Sequence, residues 1–150
     1  MDTQTITTPT WRITLPADWS DQKDQDSGMH FASADGSCAL YIATWTMAPG
    51  SARPAADLTE DFVAYDLGQL AAMEGHDWRT LEKTVECGDG RCIAIIDSHD
   101  QAQQYRIVSK ILARDGQVVR ATFHDYECIE LAESQELFAP LVASLDFNPT

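Results

Sequence analysis

Residues 105–124 read YRIVSKILARDGQVVRATFH. Before Asp115-Gly116, Tyr105, Ile107 and Ile111 point one way while Arg106 and Lys110 point the other. After it, Val119, Ala121 and Phe123 alternate with Arg120, Thr122 and His124. Period-two alternation on both sides of an Asp-Gly pair describes two antiparallel strands closed by a tight turn, because both turn residues tolerate positive φ. The alternation predicts one apolar and one charged face, as in a sheet with a single heavily buried side.

The same pattern recurs at Asp35-Gly36, between 29–34 and 38–45, and at Asp89-Gly90, between 79–87 and 91–98. Three hairpins imply a mostly antiparallel sheet. An earlier strand carries Trp11, Ile13 and Leu15 on one face and ends at Pro16. Residues 1–9 read as a flexible leader, 20–27 (SDQKDQDS) as a solvated loop and 147–150 as a tail, all within one domain of 150 residues.

Two helices are expected. Asp57 followed by Glu60 is a capping-box pattern, Leu58, Phe62, Val63, Leu67 and Leu70 form an apolar stripe, and Gly75 is a stop. A second helix begins near Glu130 and presents Leu137, Phe138, Leu141, Val142 and Leu145 to the sheet, with a kink or restart at Pro140.

Charge restricts function. The chain has 24 acids against 10 Lys and Arg, a formal net charge of -14, yet 44% of its residues are hydrophobic, which is a globular value. Such a field repels phosphate backbones and anionic lipid, so neither nucleic acid nor membrane is an expected partner, and a basic protein or effector segment is. No Lys or Arg occurs in 54–78 or 121–150, where both helices fall. The candidate partner-binding residues are therefore Asp57, Asp61, Asp66, Glu74 and Asp77 of the first window and Glu130, Glu133 and Glu136 of the second. Trp45 and Met47, in the approach to the first helix, are candidate rim residues of a groove, with core packing as the alternative for Trp45.

The opening TWRITLPADWS (10–20), the hairpin MHFASADGSCALYIATW (29–45) and the ending LFAPLVASLDF (137–147) resemble proteins of the PsbP-like fold. That fold is shared with the Mog nuclear-import factor and with bacterial DcrB-like proteins, and bacterial members of similar length include chaperones for type VI secretion effectors. The resemblance implies an α+β fold in which an antiparallel sheet is flanked by helices, an α/β/α sandwich, and a binding role. The acidic 20–27 loop and the Thr-rich leader depart from it, and no binding residue carries across position by position.

There is no G-x-S-x-G or S-x-x-K, and Asp97-Ser98-His99-Asp100 places triad residue types on opposite faces of a strand. The four histidines are dispersed and Asp18, Asp21, Asp24 and Asp26 lack the glycine and terminal Glu of a calcium loop, so no metal or cofactor is expected. Cys38, Cys87, Cys92 and Cys128 read as small buried hydrophobes, although C-x4-C at 87 and 92 permits a cross-strand disulfide. The N-terminal MDTQTITTPT lacks the basic and apolar regions of a signal peptide, and the expected location is the cytoplasm.

The expectation is a non-enzymatic protein-binding accessory of the effector-chaperone or toxin-immunity kind, with homodimerisation through a sheet edge possible. The competing class is a small enzyme or ligand binder using a pocket between the sheet and the first helix, with Cys128 or His124 involved.

Overall fold

A computed structural model describes residues 2–149. Ten strands and two helices follow in the order β1 (Thr3–Thr7), β2 (Trp11–Pro16), β3 (Ser20–Asp21), β4 (Met29–Ala32), β5 (Cys38–Thr46), α1 (Ala55–Ala72), β6 (Arg79–Gly88), β7 (Arg91–Asp100), β8 (Tyr105–Arg114), β9 (Gln117–Asp125), α2 (Leu131–Ser144) and β10 (Asp146–Phe147). The architecture is the expected α+β arrangement of antiparallel sheet and flanking helices. A seven-stranded sheet runs β3-β4-β5-β9-β8-β7-β6, and a small second sheet runs β1-β2-β10.

All three Asp-Gly pairs close hairpins, and at Asp89-Gly90 both residues have positive φ, 55° and 74°, as a two-residue hairpin turn of this hand requires. α1 carries the chain from β5 across to the far edge, β6, so β5 and β9 become neighbours although 70 residues of chain separate their ends.

The sheet does not have a single buried side. Arg114 lies opposite Gln117, and counting outward sets Ile111 against Arg120, Lys110 against Ala121 and Val108 against Phe123. Apolar and charged positions are thus mixed on each face, and both faces are covered. On one, α1 buries Leu58 and Val63 against Ala94, Ile96, Ile111 and Val118. On the other, α2 and the small sheet bury Phe138, Leu141, Trp11, Ile13 and Leu15 against Leu40, Leu112 and Phe123.

The charges expected to line up as Arg106, Lys110 and Arg120 therefore divide between the faces, and each is engaged internally. Arg106 donates through Nε and Nη2 to Asp97 at 2.9 and 2.8 Å and through Nη1 to Ser134 at 3.0 Å. Lys110 donates to the carbonyls of Val142 and Leu145 at 2.7 and 2.8 Å. No basic residue sits in the last turn of α2, so a lysine from the sheet supplies the cation that its carbonyl end favours. Anchored there and by Phe138 and Leu141, α2 continues as one helix through Pro140 instead of restarting.

Other expectations are corrected. The supposed leader forms β1, registered on β2 from Thr3↔Pro16 to Thr7↔Arg12, with Gln4 donating to the carbonyls of Pro16 and Trp19. The tail is tied too, because Phe147 is buried and Asn148 bonds Thr8. Asp57 lies in the first turn of α1, but Pro54 occupies the N-cap and no side chain caps the helix. The helix ends at Ala72, before Gly75.

Cys38 and Cys128 are buried and free, whereas Cys87 and Cys92, directly opposite on β6 and β7, are joined in a disulfide. It closes a short loop beside the outermost strand, whose residues are nearly all exposed. Replacing both cysteines by serine is expected to lower stability by about 2 kcal/mol, the entropic value for so short a loop. Urea unfolding of the double variant checks this, and an unchanged midpoint would show that β6 holds its place without the bridge.

Candidate functional site

α1 crosses β7 and β8 and part of β9, leaving the α1 side of β4 and β5 and the rest of β9 without a covering helix. Alternation along β5 sends Leu40 and Ile42 into the opposite core, so Tyr41, Ala43 and Trp45 face the α1 side, with Arg120, Thr122 and His124 beside them on β9. The result is a groove with α1 as one wall.

At one end Trp45, 42% exposed, meets Phe62 of α1 edge-on with ring centroids 4.9 Å apart. Trp45, Phe62, Tyr65, Arg120 and Asp61 enclose a pocket of about 440 Å³. Arg120 reaches over the Tyr65 ring at 5.8 Å and donates from Nε to Asp66 at 2.6 Å. The guanidinium is thus turned toward a buried acid, and the pocket's exposed surface is chiefly aromatic.

At the other end the rings form a continuous set. His30 stacks on Tyr41 at 4.2 Å, Tyr41 meets His124 edge-on at 5.4 Å, and His124 stacks on Tyr126 at 5.6 Å. Tyr105 and Trp78 extend it beneath the end of α1, and His76 bonds Asp100 at 2.9 Å. Burial, then Arg120 and His30 nearby, push His124 down to about 4. The neutral ring bonds the Tyr105 hydroxyl through Nδ1 at 2.6 Å and the Thr122 hydroxyl through Nε2 at 3.0 Å, one nitrogen donating and the other accepting. Both nitrogens are occupied, so the ring has no free site for acid-base work.

The acidic candidates do not converge. Asp57 and Glu74 are exposed on or just beyond α1, and Asp61 is exposed but paired with Arg53. Asp66 is corrected outright: it is 3% exposed and bridges α1 to Arg120, a cation that comes from the sheet and not from i+4. Asp77 and Glu130 border a separate opening of about 850 Å³ with Arg79, His99 and Cys128. Glu133 and Glu136 stand on α2, on the opposite side of the sheet. Of the apolar candidates, Trp45 is a groove residue, whereas Met47 packs against the core under α1.

The opening beside His99 does bring a histidine to the same wall as Cys128. Burial pushes the Cys128 thiol up, however, and Cys38 is raised to about 11, so neither is held as thiolate at neutral pH. Among the described residues no group of three His, Cys, Asp or Glu side chains is placed to hold a metal, and no helix is long and apolar enough to cross a membrane.

Sequence reasoning named Trp45 but missed Tyr41, Tyr65 and Tyr126. The signal available was Tyr41 and Trp45 four residues apart and His124 and Tyr126 two apart, even spacings that return side chains to one face of an extended chain.

No family model matches the sequence, and no curated protein matches it. Solved structures do. The solution structure of cyanobacterial PsbP (CyanoP) from Synechocystis sp. PCC 6803 superposes with a TM-score of 0.62 over 98% of this chain and 92% of that one, at 11% identity. This chain has a PsbP-like fold. A crystal structure from Bacteroides thetaiotaomicron VPI-5482 matches with a TM-score of 0.53 at 13% identity, covering 99% of this chain and 50% of that one. At such identities the PsbP-like likeness concerns the fold alone.

Proposed function

We propose that this chain is a non-enzymatic accessory protein that holds a segment of a basic partner in the groove beside α1, in the manner of a secretion-effector chaperone. The observation that carries this reading is the set of exposed rings on the α1 side of the sheet: Trp45 of β5, Tyr65 of α1 and Tyr126 just past β9, all at least 42% exposed. Exposed rings gathered on one face mark interaction sites more than solubility surfaces. The toxin-immunity version draws less support, because its acids are divided between opposite sides of the sheet. The net charge of -14 favours a basic partner and works against nucleic acid and anionic lipid.

A second reading rests on the pocket at Trp45, Phe62 and Tyr65, whose 440 Å³ falls in the range used for small ligands. For homodimerisation the long β6 edge is a candidate site, although Glu82, Lys83 and Glu86 are the kind of charges that blunt edge pairing. The cytoplasm is the proposed location. The Cys87–Cys92 bridge favours an oxidising compartment, and counting free thiols on protein trapped in its host decides between them.

Affinity capture from host lysate, washed at low and high salt, tests the function. A stoichiometric partner retained by the native chain and lost by Trp45→Ala is expected, the loss being about tenfold or more in affinity. Retention by that variant would remove the groove from the reading, and capture of a small molecule alone would favour the second one.

A further inference from the structure

Backbone chemistry restricts what can occupy the groove. β5 pairs with β9 over nine residues, from Cys38↔Asp125 to Thr46↔Gln117, and β4 and β8 continue the ladder on either side. The amide and carbonyl groups of the floor are directed within the sheet, toward these partners, and not out of its face. An extended segment laid on the floor would find no ladder to join, and its own backbone groups would be desolvated against aromatic rings without partners. A helix arrives with its backbone already paired.

Dimensions agree. The uncovered strip spans β4, β5 and β9, two strand spacings or about 10 Å, which is one helix diameter. Along β5 it runs from Trp45 to Tyr41, a length of about 13 Å at roughly 3.3 Å per residue, and ends where Ala39 is only 3% exposed beside the rings. Ala43 in the middle leaves the floor low between the ring clusters at the two ends.

Charge sets the polar side of the occupant. Arg120 and Arg53 beside the groove are each engaged, with Asp66 and Asp61. Two of the marginal acids remain open to solvent: Asp24, 51% exposed and bonded to His30 on the β4 wall, and Asp57, exposed on α1 about two helical turns before Tyr65. Asp61, between Asp57 and Tyr65 along the helix, is 58% exposed but held by Arg53.

Resting on the groove reading above, we propose that the occupant is a basic amphipathic helix of a partner protein, in contact over about nine residues at 1.5 Å per residue. It lies beside α1 with an apolar stripe on Trp45, Ala43, Tyr41 and Tyr65, and with Lys or Arg toward Asp24 and Asp57.

The test is a displayed library of random segments of about 16 residues, somewhat over four helical turns, selected on the full-length protein with its disulfide intact. Enriched segments are expected to carry apolar residues at i, i+3, i+4 and i+7 and an excess of Lys and Arg. As free peptides they should gain helicity on binding and lose about tenfold or more in affinity to Ala43→Arg. Tyr65→Ala, which changes an exposed side chain, replaces that variant if it fails to unfold cooperatively. Groove-dependent segments with period-two or acidic patterns would overturn the helix while leaving the groove reading intact. Segments that bind both variants as well as native protein would overturn the groove. No enrichment would sink both, and a concentration-dependent dimer abolished by Ala43→Arg would assign the groove to a second copy of the chain.

Discussion

Asp97→Ala is expected to destabilise the protein by about 3–5 kcal/mol, because it strands a guanidinium that the fold has removed from water. Arg106 and Asp97 are each 5% exposed, and the two donors of Arg106 lie 2.9 and 2.8 Å from the carboxylate. Its third bond goes to Ser134, and the guanidinium also sits 5.5 Å from the centre of the Phe138 ring. One side chain thereby joins β7, β8 and α2. Removing only the acid leaves the charge in place with little of its compensation. The double change Asp97→Ala with Arg106→Met is expected to recover most of the loss, since two well-packed apolar groups avoid the desolvation cost. Urea unfolding of the two singles and the double measures the coupling. A single-variant loss below about 1 kcal/mol, the range of an exposed pair, would show that water reaches the bridge.

His124 gives the second large effect, through pH. Its folded-state value of about 4 lies below the ordinary 6.5, so the unfolded chain takes up a proton first as pH falls. The stabilisation is complete above about 6.5 and is lost progressively as pH falls toward 4. At 1.36 kcal/mol per unit the loss is about 2 kcal/mol by pH 5. The sign follows from burial, which disfavours the charged ring in the folded state, with Arg120 and His30 adding to it. His124→Gln is expected to flatten the stability profile between pH 7 and 5. A profile as steep in that variant as in the native protein would assign the dependence to another group. Because His124 meets Tyr41 edge-on and stacks on Tyr126, acid should also loosen the aromatic end of the groove before the fold is lost.

Much of the fold was legible in local signals. The three Asp-Gly turns located three hairpins, and the stripe from Leu58 to Leu70 located α1. The register of the β8–β9 hairpin was legible as well: a two-residue turn at Asp115-Gly116 sets Ile111 opposite Arg120. The assumption of one buried side obscured it, because in a sheet covered on both faces the buried positions include the long cations. Lys110 and Arg106 look like surface residues in sequence, and each is satisfied by groups remote along the chain, a helix end and a carboxylate on the neighbouring strand. β1 was missed because TQTIT has no strong alternation of its own and is held by pairing with β2.

The candidate site was less legible for the same reason. Asp66 shares its composition and spacing with the exposed acids of α1, and only the arrival of Arg120 from β9 distinguishes it. The groove exists because α1 covers β7 and β8 and stops short of β4 and β5, a matter of how the β5-to-β6 crossover lies on the sheet. Helix length and periodicity contain no such information. Trp45 became a candidate from its position before α1, while Tyr65 and Tyr126 acquire meaning only when both are seen on the same face.

The most direct measurement is an amide and side-chain NMR map of the protein titrated with the partner segment that it captures. Shifts concentrated at Tyr41, Ala43, Trp45, Tyr65 and Thr122, with α2 and β6 silent, are the predicted result. A footprint on β6 or on Glu133 and Glu136 of α2, with Trp45 and Ala43 unmoved, would contradict the groove as the working surface.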